Sequence, residues 1–227
     1  MTLRKPKAGG EILDYRELAQ IVWVSLSVCF TSTLISAALA IPFSLLLGMG
    51  NGLVIRALRT AVIALSNIPP VVAGLLVYML TSRSGPLSFL GIVFSKTAMV
   101  MAQVLVVTPL ITSVLFPVFV EMRGDFLETC NGIPLKKPKT YFLLFSECRY
   151  IYTSAVLIGF GRAMSEVAAV SLTGGNIRHK TRVLTTAIML STSKGEFREA
   201  LTLAAVLIVL VLIVNFLAGR IKGRENK

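Results

Sequence analysis

The 227-residue chain is too apolar for an ordinary soluble domain, because 55% of its residues are hydrophobic, 15% are charged and its mean hydropathy is +0.78. It carries 23 Lys and Arg against 11 Asp and Glu, which in a membrane protein first indicates loops facing anionic lipid. These basic residues are scattered among loops without a binding module, so nucleic acid is excluded as a partner. A metal site is not expected either, since the single His179 has no Cys-x-x-Cys motif beside it.

Five apolar runs are long enough to cross a bilayer, which takes about 20 residues. In chain order they are 18–47, 54–81, 97–120, 152–173 and 200–217. They predict an all-α fold, a polytopic membrane helical bundle of about five transmembrane helices with no separate soluble domain. The predicted domain plan is an N-terminal segment 1–17 without the apolar stretch of a cleavable signal, a membrane domain 18–217 and a basic tail 218–227.

Proline interrupts the second and third runs. A proline within a helix removes a backbone hydrogen bond and kinks the chain, and such breaks are tolerated at membrane depth where protein or a water-filled cavity covers them. We interpret Pro109 and Pro117 as packing kinks. The doublet Pro69-Pro70 instead predicts a discontinuity that lines a pore, and Ser165 in the fourth run is a further pore-lining candidate.

The distribution of Lys and Arg does not orient the bundle. Five spans place three polar segments on each side, and each set carries 11 of the 23 basic residues, with Arg162 inside the fourth span as the remaining one. Orientation by the positive-inside rule therefore fails here.

The longest polar segment between spans is 121–150. A short helix over 125–130 would turn apolar side chains to one side, the pattern of a partner-facing helix. The alternative is an interfacial loop whose lysines touch lipid phosphates. Those lysines are Lys136, Lys137 and Lys139.

Four segments resemble the permeases of ABC importers, in the tungstate-type branch beside the molybdate and sulfate branches. Three of them are PPVVAGLLVYMLTSRSGPL, GFGRAMSEVAAV and GGNIRHKTRVLTTAIMLSTSKGEF. The fourth is the polar loop before the last two spans, which resembles the coupling loop that docks on the ATPase. The family pattern there is Glu-Ala-Ala, three residues, then Gly. This chain has Glu128, Thr129 and Cys130, then Gly132 after one residue.

The resemblance implies a type I importer-like permease in the cytoplasmic membrane. It implies a homodimer, a cytoplasmic ABC ATPase dimer and an extracytoplasmic oxyanion-binding protein, with 121–150 as the cytoplasmic coupling loop, the N-terminus outside and the C-terminus inside. The chain itself is expected to be no enzyme and to hold no cofactor, because its nearest phosphate-loop match, GGNIRHKT, has His179 where the motif needs Gly and no strand precedes it. ATP is therefore expected on the partner subunit.

Two charges lie within the fourth apolar run. Arg162 and Glu166 are four residues apart, so on one helix they would share a face and neutralise each other. Three interpretations stay open: a passive packing pair, direct contact with substrate, or a gate at the dimer interface. For the gate, Gly159 and Gly161 would permit close helix approach.

The segment after the fourth span is predicted to form a short helix over 183–190, since eight residues cannot cross a bilayer. The polar residues before it form a candidate outer mouth, where they would concentrate oxyanions, pair with acidic groups of the binding protein or lie beside lipid. They are Asn176, Arg178, Lys180 and Arg182.

The function expected from these features is the permease subunit of an ATP-driven importer of a tetrahedral oxyanion. Tungstate is the first candidate and molybdate the second. The sequence does not decide between them, because in such systems the binding protein selects the anion. The other class left open is a transporter or membrane scaffold that works without an ATPase.

Overall fold

The computed structural model describes residues 15–130 and 148–224, and within these ranges the regular structure is helical. Side chains are described except at 124–130, 149 and 217–224. A single 3-10 turn, Ser88–Leu90, lies between the third and fourth helices. The α-helices are α1 (Tyr15–Met49), α2 (Leu53–Ser66), α3 (Pro70–Thr81), α4 (Lys96–Cys130), α5 (Arg149–Ser165), α6 (Ala168–Gly174), α7 (Leu184–Ser193) and α8 (Phe197–Arg224).

Helices α1 and α4 are 35 residues each and run parallel to one another. The Ser32 hydroxyl donates to Gln103 Oε1 at 2.6 Å, and the partners are 71 residues apart in the chain. About four helical turns further along both helices, Gly48 lies against Phe119, and these two residues are also 71 residues apart in the chain. Two parallel spans cross the membrane in the same direction, so the chain between them has to return, and α2 with α3 makes that return crossing.

Small side chains explain why α1 and α4 pack closely. A Cβ added at Gly48 would lie 2.2 Å from Phe119 Cβ, so the two backbones nearly touch at that point. Small residues at helix interfaces permit such close approach in membranes. Buried small residues occur at every third or fourth position along one side of α1: Ser25, Cys29, Ser32, Ser36, Ala40, Ser44 and Gly48.

The second span is broken where the sequence predicts it. Pro69 precedes the first residue of α3 and Pro70 is its first residue, and α2 and α3 meet at 95°. Proline at a helix start is compatible with its missing N–H. Pro109 and Pro117 instead lie inside the continuous α4.

The fourth span is also broken, which corrects the prediction of one helix over 152–173. Helix α5 ends at Ser165, α6 begins at Ala168, and the two meet at 60°. Glu166 has extended backbone angles, φ −77° and ψ 124°. Its carboxylate accepts a hydrogen bond from the Ala169 N–H at 3.1 Å, and this bond stabilises a new helix start in place of continued helix.

Helix α5 runs antiparallel to α4. Near the start of α5, the Cys148 thiol is 3.5 Å from Met122 Sδ in the second half of α4. Further along α5, Gly159 lies against Ile111, which comes earlier in α4. Helix α4 continues to Cys130, so the helix predicted over 125–130 is present as the last part of α4 and not as a separate short helix.

Helix α8 begins at the other end of the bundle, where Leu203 clusters with Ile21 and Leu184. Its apolar part, Phe197–Phe216, is long enough to span, so its crossing leads to the end where α4 terminates. Three continuous helices and two bent pairs give up to five membrane spans by length and composition. The predicted helical membrane bundle is confirmed, while the assignments of 1–17 and 218–227 stay predictions.

Candidate translocation site

The second halves of the two broken spans pack against each other. A Cβ added at Gly74 of α3 would lie 2.6 Å from the Cα of Ala169 in α6, so the helices touch through their backbones. Pro70 is four residues before Gly74, and Glu166 is three before Ala169. One helical turn rises about 5.4 Å. The fold therefore brings both breaks to within about a turn of a single contact, although they are nearly 100 residues apart in the sequence.

This junction lies inside the bundle. Val77 of α3 and Ala169 of α6 share a buried cluster with Ala98 and Ala102 of α4. Gln103, one residue further on, donates to the Ala163 carbonyl just before the α5–α6 break. Since α4 begins at Lys96 and a helix rises 1.5 Å per residue, the junction lies about 10 Å along α4 from its first residue.

Of the predicted pore-lining residues, Pro69 and Ser165 are exposed and Pro70 is half-buried at the two breaks. The Ser165 hydroxyl donates to the Arg162 carbonyl at 3.0 Å, which satisfies the last turn of α5 locally. The structure thus places all three beside the junction, and their role in a pore stays a prediction.

Arg162 and Glu166 do form an ion pair, with Arg162 Nη2 3.6 Å from Glu166 Oε2. They do not share one helix, however, because Glu166 follows the end of α5. The Glu166 side chain is 5% exposed and the Arg162 side chain 40% exposed. A charge costs several kcal/mol when it faces lipid, so the open side of Arg162 has to face water or protein.

The two glycines predicted with this pair lie in different surroundings. A Cβ at Gly159 would come within 2.8 Å of Ile111 and 3.1 Å of Val107, so Gly159 permits close packing on α4 of its own chain. A Cβ at Gly161 would meet no atom within 4 Å among the described residues. Of the two, Gly161 is the one whose surface is open to a second subunit, and the dimer and gate roles stay predictions.

Gln103 joins three helices at the junction and was missed by the sequence analysis. Its side chain is 2% exposed. It accepts from Ser32 of α1 and donates to Ala163 of α5 at 3.0 Å. A glutamine inside the apolar run 97–120 is itself a signal, because polar groups at membrane depth need partners.

The predicted outer-mouth residues mostly hold the chain together. Arg178 binds both carboxylate oxygens of Glu17 in the first turn of α1, and Arg182 lies 3.3 Å from the same carboxylate. Asn176 accepts hydrogen bonds from Arg182 and Thr186. Lys180 is exposed. Arg178 and Arg182 therefore clamp the segment before α7 onto α1, and Asn176 connects that segment to α7.

The short helix predicted over 183–190 is present as α7, and its first part packs on the bundle. Its first turn is buried. The Leu184 N–H donates to the Ser25 hydroxyl of α1 at 2.8 Å, and Thr185 donates to the Glu166 carbonyl at 3.0 Å. Helix α7 is therefore built into the bundle beside the junction.

The residues predicted to couple the permease to an ATPase lie at and beyond the end of α4. The backbone of Glu128, Thr129 and Cys130 belongs to that helix. Gly132 lies outside the described residues. Their coupling role stays a prediction.

Comparison with known proteins gives the family. The chain is 34% identical over 221 residues to a probable anion ABC transporter permease protein of Haloferax volcanii, with 93% of this chain and 94% of the relative covered. It is 32% identical over 195 residues to the tungstate uptake system permease protein TupB of Peptoclostridium acidaminophilum, with 86% of each covered. The sulfate transport system permease protein CysW of Escherichia coli is more distant, at 27% over 215 residues, with 86% of this chain and 72% of that protein covered.

No family model matches the chain. Identity above 30% over nearly the whole length of a relative, together with a bundle of up to five spans, is nevertheless decisive. The resemblance seen in the sequence is confirmed: this multi-pass membrane protein belongs to the ABC transporter permeases, in the group that contains the tungstate uptake permeases.

Proposed function

We propose that this chain is the permease subunit of an ATP-driven importer that moves a tetrahedral oxyanion, tungstate first and molybdate second, across the cytoplasmic membrane. The observation that carries the proposal is the 32% identity over 86% of the chain to a protein named as a tungstate uptake permease. The other relatives carry names of an anion permease and of sulfate permeases. All of these names are of permeases for anions, and two of the three name an oxyanion.

The junction of the broken spans supports transport over a purely structural role. Discontinuous membrane helices are tolerated where they line a cavity or are covered by protein, and transporters build sites from them. Here two such breaks meet near Arg162, which belongs to the second bent pair and has a side chain that is 40% exposed. A membrane scaffold has no need of a half-open charge at that position.

The partners in this proposal are a second copy of the chain, an ABC ATPase dimer and an oxyanion-binding protein. Segment 121–150, from the end of α4 to the start of α5, docks on the ATPase and lies in the cytoplasm. The C-terminus is then inside and the N-terminus outside, since α8 and α4 end on the same side of the bundle. ATP is hydrolysed on the ATPase chains.

Uptake in cells tests the substrate. The chain is expressed with its ATPase and binding protein in a host that lacks tungstate and molybdate uptake, and cell-associated W, Mo and S are measured by mass spectrometry. We expect ATP-dependent accumulation of tungstate and weaker accumulation of molybdate. Isothermal titration of the binding protein with each anion should give the same order. Accumulation without the ATPase would instead support the independent transporter.

Gly132→Arg tests the coupling segment. The bulky charge should leave the permease in the membrane but reduce ATPase copurification and uptake by tenfold or more. Glu196→Arg is the matched control, since Glu196 is exposed at the opposite end of the bundle. Normal ATPase binding by Gly132→Arg would contradict the coupling assignment.

The orientation is tested by placing a cysteine near Gly9 or near Lys222 and adding a membrane-impermeant thiol reagent to intact cells. We expect labelling near Gly9, and labelling near Lys222 instead would contradict the orientation.

A further inference from the structure

Glu166 is bonded to three different helices. One carboxylate oxygen, Oε1, accepts from the Ala169 N–H in the first turn of α6 at 3.1 Å. The other, Oε2, lies 3.6 Å from Arg162 Nη2 in the last turn of α5. The main-chain carbonyl accepts from the Thr185 hydroxyl of α7 at 3.0 Å. A single residue thus connects the elements on both sides of the break.

The two carboxylate contacts differ in kind. The Ala169 contact has the length of a hydrogen bond, whereas the Arg162 contact is longer than one. The Ala169 contact is also buried, while Arg162 is 40% exposed and thus accessible to water. Since exposed ion pairs are weak and buried hydrogen bonds are retained, the Arg162 contact is the one that opens first.

Opening this contact would release α6 from α5 but leave α6 attached to α3. The α3–α6 contact is made through backbone at Gly74 and Ala169 and has no side chain that could move aside. Helix α6 has only seven residues. Glu166 and α3 hold its first turn, while its last residue, Gly174, lies against the flexible side chain of Met99 in α4, which can adjust when α6 tilts. The unit that moves is then α6 together with α3, and the hinge is Glu166.

We propose that Glu166 is a positioning residue of the transport cycle: its carboxylate permanently caps α6 and reversibly ties α6 to Arg162. Closing the tie fixes the angle between α5 and α6, and opening it lets the α3–α6 pair tilt. This proposal rests on the proposed transport function and assigns the charge at position 166 a task that a neutral cap cannot perform.

Glu166→Gln separates the two tasks, because an amide oxygen still accepts from the Ala169 N–H but carries no charge. In the purified permease, deuterium exchange at the amides of 168–174 measures how often α6 opens. We expect exchange about tenfold faster in Glu166→Gln and in Arg162→Gln, with no further increase when both are combined, since the two substitutions remove the same link. Additive effects, or wild-type exchange in Glu166→Gln, would overturn the tie.

Transport gives the second readout. In the complete complex, Glu166→Gln should assemble at the wild-type level yet lose at least tenfold in uptake, while ATP hydrolysis continues. Glu166→Ala, which also loses the cap, should reduce the amount of folded permease. Glu196→Gln is the matched control, because it neutralises an exposed carboxylate 3.9 Å from Lys194. Wild-type uptake by Glu166→Gln would leave Glu166 as a cap alone.

The two proposals fail in different ways. If wild-type cells accumulate no oxyanion, the proposed function fails while the exchange measurement still stands, because it needs neither substrate nor ATPase. If wild-type uptake is normal and Glu166→Gln matches it in exchange and in uptake, the tie fails and the proposed function stands.

Discussion

The bundle contains two helix pairs built on opposite principles. Helices α1 and α4 are long and continuous, and they lie in parallel through a stripe of small residues locked by Ser32 and Gln103. Helices α3 and α6 are the short second halves of broken spans, and their backbones come closest at Gly74 and Ala169. The first pair consists of unbroken helices of 35 residues, whereas the second consists of helices of 12 and seven residues that each begin at a break. This difference indicates where motion is possible. A membrane transporter needs a rigid frame and a part that can tilt against it. We assign the unbroken helices α1 and α4 to the frame and the short helices α3 and α6 to the part that tilts.

The largest expected effect is on the frame. Gly48→Ala places a methyl carbon 2.2 Å from Phe119 Cβ, where neither helix can yield. Overpacking of this kind costs about 1–3 kcal/mol and occasionally more. We expect a marked loss of folded permease, measured by size-exclusion chromatography and thermal unfolding in detergent. Folded protein at the wild-type level would mean that α1 and α4 are not a rigid pair.

Gly74→Ala tests the other pair. Its methyl group would lie 2.6 Å from the Cα of Ala169, but α6 lies between a break and a loop and can shift. We expect a folded permease with uptake reduced by tenfold or more, a loss of activity larger than its loss of stability. If Gly74→Ala instead unfolds the chain as severely as Gly48→Ala, the distinction between the two pairs is wrong.

Gln103→Leu tests how much the hydrogen bonds of Gln103, which connect α1 and α4 to α5, contribute to stability. The substitution leaves the Ser32 hydroxyl and the Ala163 carbonyl without this partner, and a buried polar group left unsatisfied costs about 1–3 kcal/mol. We expect a lower unfolding temperature. Adding Ser32→Ala should recover part of the loss, since one orphaned group disappears. No change in the unfolding temperature would contradict the role of Gln103.

Glu17→Gln should have the smallest effect. Glu17 accepts from Arg178, whose side chain is 58% exposed, and from the less exposed Arg182. Ion pairs near the surface contribute about 0–1 kcal/mol and weaken with salt. We expect a small loss of stability at low salt that vanishes near 1 M NaCl. A large loss that persists at high salt would show that the clamp belongs to the frame.

Much of this division could be predicted from the sequence. The apolar runs gave the membrane class, and Pro69-Pro70 marked the first break because proline cannot continue a hydrogen-bonded helix. The second break carries no proline or turn signal. At the end of α5, Glu166 accepts hydrogen bonds from the Ala169 N–H and from the Thr185 hydroxyl, and the Thr185 bond depends on how α7 folds back. Spacing alone places Arg162 and Glu166 on one helix.

Contacts between distant segments were beyond the sequence for the same reason. The sequence shows that Arg178 and Arg182 are basic, but no neighbouring residue indicates that their partner is Glu17, some 160 residues away. Gln103 was detectable as a polar residue in an apolar run. Its two partners on α1 and α5 required the parallel register of α1 and α4.

Deuterium exchange of the assembled transporter, compared between its nucleotide-free and vanadate-trapped states, tests the central claim most directly. The account predicts that amides of α3 and α6 change their exchange rates by tenfold or more between the two states, while those of α1 and of the first half of α4 change by less than about twofold, since local opening follows the strength of the attachments. Equal changes in both helix pairs, or changes confined to α1 and α4, would contradict it.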